Sequence, residues 1–127
     1  MSALVLDAGA FLAAERDDRA TLARLRIAQQ HGRDLRTSAI VIGQVWRDPR
    51  GRQARLARLL RSVHVRPIDE RLGREAGVLI AQAGTHDPID ATVVLVAEHG
   101  DRILTSDVDD IKRLVATAKT RAAVVAC

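Results

Sequence analysis

The sequence predicts an α/β domain with a mostly parallel sheet and helices on both faces. Three observations predict it. Short apolar runs, too brief for helices, recur along the chain; longer segments between them carry apolar residues at i, i+3 and i+4; and Gly or Pro stands at the junctions. At 127 residues and 47% hydrophobic content the chain has the size and composition of one domain around one core. No repeat, linker or low-complexity stretch divides it, so residues 1–127 are read as a single domain.

The elements follow in order. Residues 3–6, Ala-Leu-Val-Leu, form a continuous apolar run ended by Asp7 and Gly9, the pattern of a buried parallel strand. Residues 21–30 predict a helix with Leu22, Leu25 and Ala28 on one face and Gly32 just past its end. Residues 35–38 make a short strand, after which Ser38 caps a helix carrying Ile40, Val41 and Val45 and closed by Asp48-Pro49. Residues 51–62 give a further helix: Leu56, Leu59, Leu60 and Val63 fall at i, i+3, i+4 and i+7, and Arg52, Arg55, Arg58 and Arg61 spread over the other half.

Residues 63–68 alternate like a strand, Val63 and Val65 against His64 and Arg66. Asp69 caps a helix through residue 83, with Leu72, Ala76, Leu79 and Ile80 inward. Asp87-Pro88 is a helix start, Asp87 as N-cap and Pro88 at the first helical position, and that helix runs to His99-Gly100. Residues 102–105 are a strand, 107–117 a helix and 122–126 a last strand.

Composition excludes several classes. Apolar stretches such as residues 91–97 fall far short of the roughly 20 residues a membrane helix needs. The first residues carry no basic region before Asp7, so a cytoplasmic protein without a membrane or signal segment is expected. Cys127 is the only cysteine, which excludes an internal disulfide and a cysteine-based zinc site. The formal charge is +4. Residues 47–66 hold seven Arg (47, 50, 52, 55, 58, 61 and 66) against one acid, Asp48. Such a field favours a polyanion, nucleic acid first. Phe11 and Trp46 are the only aromatic residues, so any nucleic acid would be held by its backbone rather than by base stacking.

In a parallel sheet, ligands gather outside the carboxyl ends of the strands. Asp7 directly follows the first strand, Asp107 follows residues 102–105 after one residue, and Asp87 and Asp90 lie in the first turn of the preceding helix. Carboxylates from three remote segments repel one another unless a cation holds them, and oxygen ligands without Cys or paired His select Mg2+ or Mn2+ over zinc. With Arg nearby, that suggests phosphodiester chemistry through a metal-activated water. Each acid also has a local role: Asp7 as a turn former, Asp87 and Asp107 as N-caps, Asp90 and Asp110 at N3. His86 and His99 read as isolated surface residues.

The chain resembles the PIN-domain ribonucleases, specifically the VapC-type toxins of bacterial type II toxin–antitoxin pairs. The resemblance spans essentially the whole chain. It rests on Leu4-Val-Leu-Asp-Ala-Gly-Ala-Phe11, on Thr37-Ser-Ala-Ile-Val-Ile-Gly-Gln-Val-Trp-Arg47, on Asp90-Ala91 opening a helix, and on Ile103-Leu-Thr-Ser-Asp-Val-Asp-Asp-Ile111. It implies a PIN-like three-layer α/β/α fold and a Mg2+-dependent endoribonuclease, Mn2+ substituting, that cleaves tRNA or rRNA. It also implies a cognate VapB-type antitoxin and a homodimer. Carried over by position, Asp7, Asp90 and Asp107 are the metal ligands, Asp87 and Asp110 complete the acidic pocket, and Thr105 orients Asp107 or a bound water. Arg47, Arg50, Arg52 and Arg55 are candidate RNA phosphate contacts.

One position departs from the family pattern. Its second acid falls on Gln44, which keeps an acceptor oxygen but carries no charge. Asp48, one helical turn on, and Asp87, one turn before Asp90, are the candidates to replace that charge. The alternative is a catalytically weak or inactive fold that binds RNA or an antitoxin. A phosphoryl-receiver domain would need an acidic pair after the first strand, and a haloacid-dehalogenase-like phosphatase would need Asp at position 9, where Gly9 stands.

Overall fold

The computed structural model describes residues 2–47, 50 and 52–127. Five strands form one sheet: β1 (Leu4–Leu6), β2 (Leu35–Ser38), β3 (Val63–Arg66), β4 (Arg102–Thr105) and β5 (Ala123–Ala126). They pair in the order β3-β2-β1-β4-β5, every pair parallel. Seven helices are found among the described residues: α1 (Ala8–Glu15), α2 (Arg19–Gln30), α3 (Ala39–Val45), α4 (Ala54–Leu60), α5 (Glu70–Ala83), α6 (Pro88–Leu95) and α7 (Val108–Ala118). Right-handed crossovers put α1–α4 on one face and α5–α7 on the other, in keeping with the contacts within each set. The result is the three-layer α/β/α architecture with a parallel sheet.

The local reasons are those of the sequence. Val5 and Leu6 of the first run are fully buried, because β1 is the central strand and both its faces are covered. Asp69 caps α5 through Leu72 N at 2.8 Å, and Gly84 ends that helix at φ +72. Asp87 caps α6 with Pro88 at its start, as the dipeptide predicts.

The structure corrects four expectations. Helix α1 has no counterpart among the predicted elements; it is apolar on all sides, with Ala10, Phe11, Ala13 and Ala14 buried, so it shows no amphipathic stripe. Helix α4 covers Ala54–Leu60 rather than 51–62, its start preceded by turn residues. Helix α6 stops at Leu95, short of His99. Val65 is exposed although it alternates with polar residues, because β3 is an edge strand. Asp48 and Pro49, read as closing α3, lie outside the described residues. No described helix is long and apolar enough to cross a membrane.

The amino-terminal edge of the sheet is held by a carboxylate that no sequence motif marks. Asp101, 3% exposed, accepts from Ala3 N at 2.7 Å, from Glu98 N at 2.8 Å and from Arg36 Nη1 at 2.7 Å. The same Arg36 nitrogen donates to Val96 O at 3.0 Å. One buried ion pair thus joins the starts of β1 and β4 to β2 and to the end of α6.

Candidate metal centre

Three chain segments deliver acids to the carboxyl edge of the sheet. Asp7 leaves β1 and caps α1, its Oδ1 accepting from Ala8 N at 2.7 Å. Thr105 ends β4; its hydroxyl donates to Asp7 Oδ2 at 2.6 Å and accepts from Asp107 N at 2.9 Å. A single buried hydroxyl therefore fixes the Asp7 carboxylate and the start of α7 together. This refines the expectation for Thr105: the side chain it orients is Asp7, while Asp107 meets it through the backbone. Gly9 permits the close approach, since a Cβ there would run into the Ser106 side chain and lie 3.0 Å from Ser106 N.

Asp90 enters from the first turn of α6 and is 5% exposed. Its neighbour Asp87 accepts from Ile89 N at 2.8 Å, which confirms its role as cap. Ser38, at the end of β2, holds this segment in place: Thr92 Oγ1 donates to Ile89 O at 2.7 Å, so the 2.8 Å bond between Ser38 Oγ and Thr92 Oγ1 has Ser38 as donor.

Carboxylate oxygens of Asp90, Asp107 and Asp110 all lie within 4.8 Å of one another. The electrostatic consequence falls on the most buried of them. Burial, a hydrogen bond to Asp107 and the charges of Asp7, Asp87 and Asp107 push Asp90 up to about 8. Asp7 is also raised, by burial first and then by Asp107 and Asp87, against the lowering bonds from Thr105 and Ala8. All five acids read from the sequence therefore converge on this edge, three as a tight trio, Asp7 pinned beside them, and Asp87 acting through its charge.

The set fits a hard divalent cation. All the donors are carboxylate oxygens, no His or Cys joins the trio among the described residues, and a cation would offset both the burial and the neighbouring charges that raise Asp90. Gln44, on α3, has its Oε1 buried without a hydrogen-bond partner among the described residues, an acceptor left to spare. His86 is exposed, and His99 Nδ1 accepts from Arg121 N at 3.0 Å.

The arginines are engaged by their own chain. Arg47 Nη1 donates to Gly43 O and Trp46 O, both at 2.8 Å, closing the end of α3. Arg55 pairs with Asp17 at 3.4 Å, both exposed, a contact that water and salt readily replace. Arg50 and Arg52 are exposed and also have partners. The case for these four as RNA contacts rests on their charge alone.

Because Thr105 holds the Asp7 carboxylate, Thr105→Val is expected to lower metal affinity and any cleavage by about 10–100-fold with little change in fold, since the methyl replaces the hydroxyl at equal volume. Metal titration beside thermal melting checks it.

A family model described as PIN domain matches residues 4–116. No curated protein matches the sequence. Six chains among solved structures match. One belongs to the crystal structure of VapBC2 from Rickettsia felis bound to a DNA fragment from their promoter: 12% identical, TM-score 0.71, covering 98% of this chain and 98% of that chain. At that identity the likeness is one of fold.

Proposed function

This chain belongs to the PIN domain family, and from that premise we propose that it is a VapC-type toxin of a type II toxin–antitoxin pair, a Mg2+-dependent endoribonuclease acting in the cytoplasm. The observation that carries this reading is the trio Asp90, Asp107 and Asp110, its oxygens within 4.8 Å of one another beside Asp7. A tRNA or rRNA substrate, a VapB-type antitoxin and a homodimer belong to the same proposal.

When bound, a divalent cation at such donors lowers the pKa of water and neutralises charge on a phosphate. Asp90, Asp107 and Asp110 would hold it, with Asp7 held ready by Thr105. Asp90 would lose its proton on binding such a cation, whose charge favours the carboxylate that burial and the neighbouring acids disfavour. Arg47, Arg50, Arg52 and Arg55 supply positive charge for RNA phosphates, so RNA affinity should fall steeply with salt.

Asp87 supplies the charge that Gln44 lacks. Its carboxylate already acts on Asp7 and Asp90. Asp87→Asn keeps a capping acceptor and removes only the charge; it is expected to weaken Mn2+ binding by about 3–10-fold. Unchanged affinity would reduce Asp87 to a helix cap.

A second reading has Gln44 in its favour: the neutral side chain at the family's acidic position would leave a fold that binds RNA or an antitoxin without cutting. Purified protein, freed of any antitoxin, incubated with total cellular RNA and Mg2+ or Mn2+ separates the two. The nuclease gives a discrete fragment that disappears with EDTA and in Asp7→Asn; RNA binding without a fragment supports the second reading.

A further inference from the structure

On the face that carries α1–α4, the helices pack over β1, β2 and β3 and reach β4 mainly through α1, whereas β5 is packed by α7 on the other face. A groove of about 300 Å³ remains between α2 and the outer strands. Register puts Leu4, Leu104 and Val125 on this face, and with Ile27 and Ala28 of α2 they make an apolar floor. Ile27 is 51% exposed beside it. The remaining lining is basic: Arg24, His31, Arg33 and Arg102. No carboxylate lines the groove, and none of these four forms an ion pair among the described residues.

The edge beside the groove is open as well. β5 ends the sheet, and its sequence Ala-Val-Val-Ala has no Lys, Pro or bulge to guard it. Ala123 N donates to Asp101 O and Cys127 N to Thr105 O, both at 3.0 Å. By the alternation of a parallel ladder, the N–H groups of Val124 and Ala126 face away from β4.

We propose that the β5 edge and this groove form a docking site for an extended acidic segment of a partner protein. The segment adds as a strand to β5 and sets every second side chain into the groove, apolar and carboxylate in turn along that face. The charge balance decides the kind of partner, since three arginines and a histidine around an apolar floor match a peptide bearing both side-chain types. A nucleic acid would find no aromatic or amide side chain in the lining for its bases beyond the one imidazole. This inference stands whether or not the acidic centre cleaves RNA.

The test uses the whole chain and a fluorescent peptide of about ten residues in which valine and glutamate take turns at every second position, with threonine between them. A valine–lysine peptide and a single-stranded oligoribonucleotide serve as comparisons. Binding of the acidic peptide alone is expected, with slower amide exchange at Val124 and Ala126. Arg24→Glu combined with Arg102→Glu should weaken it about tenfold or more. Ala126→Pro, which removes an outward donor at an exposed position, should do the same. Exchange in the unmodified protein decides the matter if a variant unfolds. No binding, no protection at β5, affinity unchanged in both variants, or displacement of the peptide by the oligoribonucleotide would each overturn the proposal.

Discussion

Replacing Asp90 by asparagine is expected to abolish RNA cleavage and, in metal-free protein at neutral pH, to raise the melting temperature. Asp90 is buried among acids and titrates near 8, against 3.8 for an ordinary Asp carboxyl. Between those values the native state keeps a proton that the unfolded chain has released. Unfolding therefore releases a proton, and metal-free stability falls as pH rises across that window, levelling above about 8. Asparagine removes the titration and the repulsion while keeping the shape. A gain of about 1–2 kcal/mol at pH 8, roughly 3–8 °C, is the expected size. The slope of melting temperature against pH should flatten in the variant. Loss of activity together with loss of stability would make Asp90 a packing residue instead.

The second large effect is at the opposite edge of the sheet, where the same residue type plays the contrary role. Asp101 is as buried as Asp90 but is met by donors, the Ala3 and Glu98 N–H groups and the Arg36 guanidinium. Asp101→Ala removes the short ion pair of Arg36, leaving it Val96 O and the exposed Glu98 at 3.8 Å, and takes the acceptor from the Ala3 and Glu98 N–H groups. Removing one partner of a buried pair costs about 3–5 kcal/mol, a large share of the roughly 5–15 kcal/mol available to a domain. Chemical denaturation should show that loss, with Asp101→Asn intermediate because it still accepts hydrogen bonds. A change below about 1 kcal/mol would mean that the network is replaceable by water. The two substitutions thus move stability in opposite directions, and the partners of each carboxylate decide which way.

Much of the fold and the acidic edge is legible in the sequence because the signals are local. The apolar run before Asp7 and the Thr105-Ser-Asp107 turn each place an acid at a strand's carboxyl end by spacing, and the Asp87-Pro88 start places two more in the first turn of a helix. Helix α1 is not legible, because a helix apolar on its exposed side as well, where Leu12 stands, has no periodicity to detect. Nor is Asp101: beside Gly100 it looks like a turn residue, and its value comes from Arg36, 65 positions away. The tightness of Asp110 with Asp90 and Asp107 also needs the fold, since spacing along α7 says nothing of how close α6 packs. Gln44 is visible as a departure, but its unpartnered oxygen is not.

If the acids at the carboxyl edge form a metal centre, calorimetric titration with Mn2+ reads it without recourse to RNA. The unaltered protein and Asp90→Asn would be compared at pH 7 in two buffers of different ionisation enthalpy. Saturable binding with release of about one proton, from the raised Asp90, and loss of both in the variant is the predicted result. No binding to the unaltered chain, or equal binding to both proteins, would contradict it.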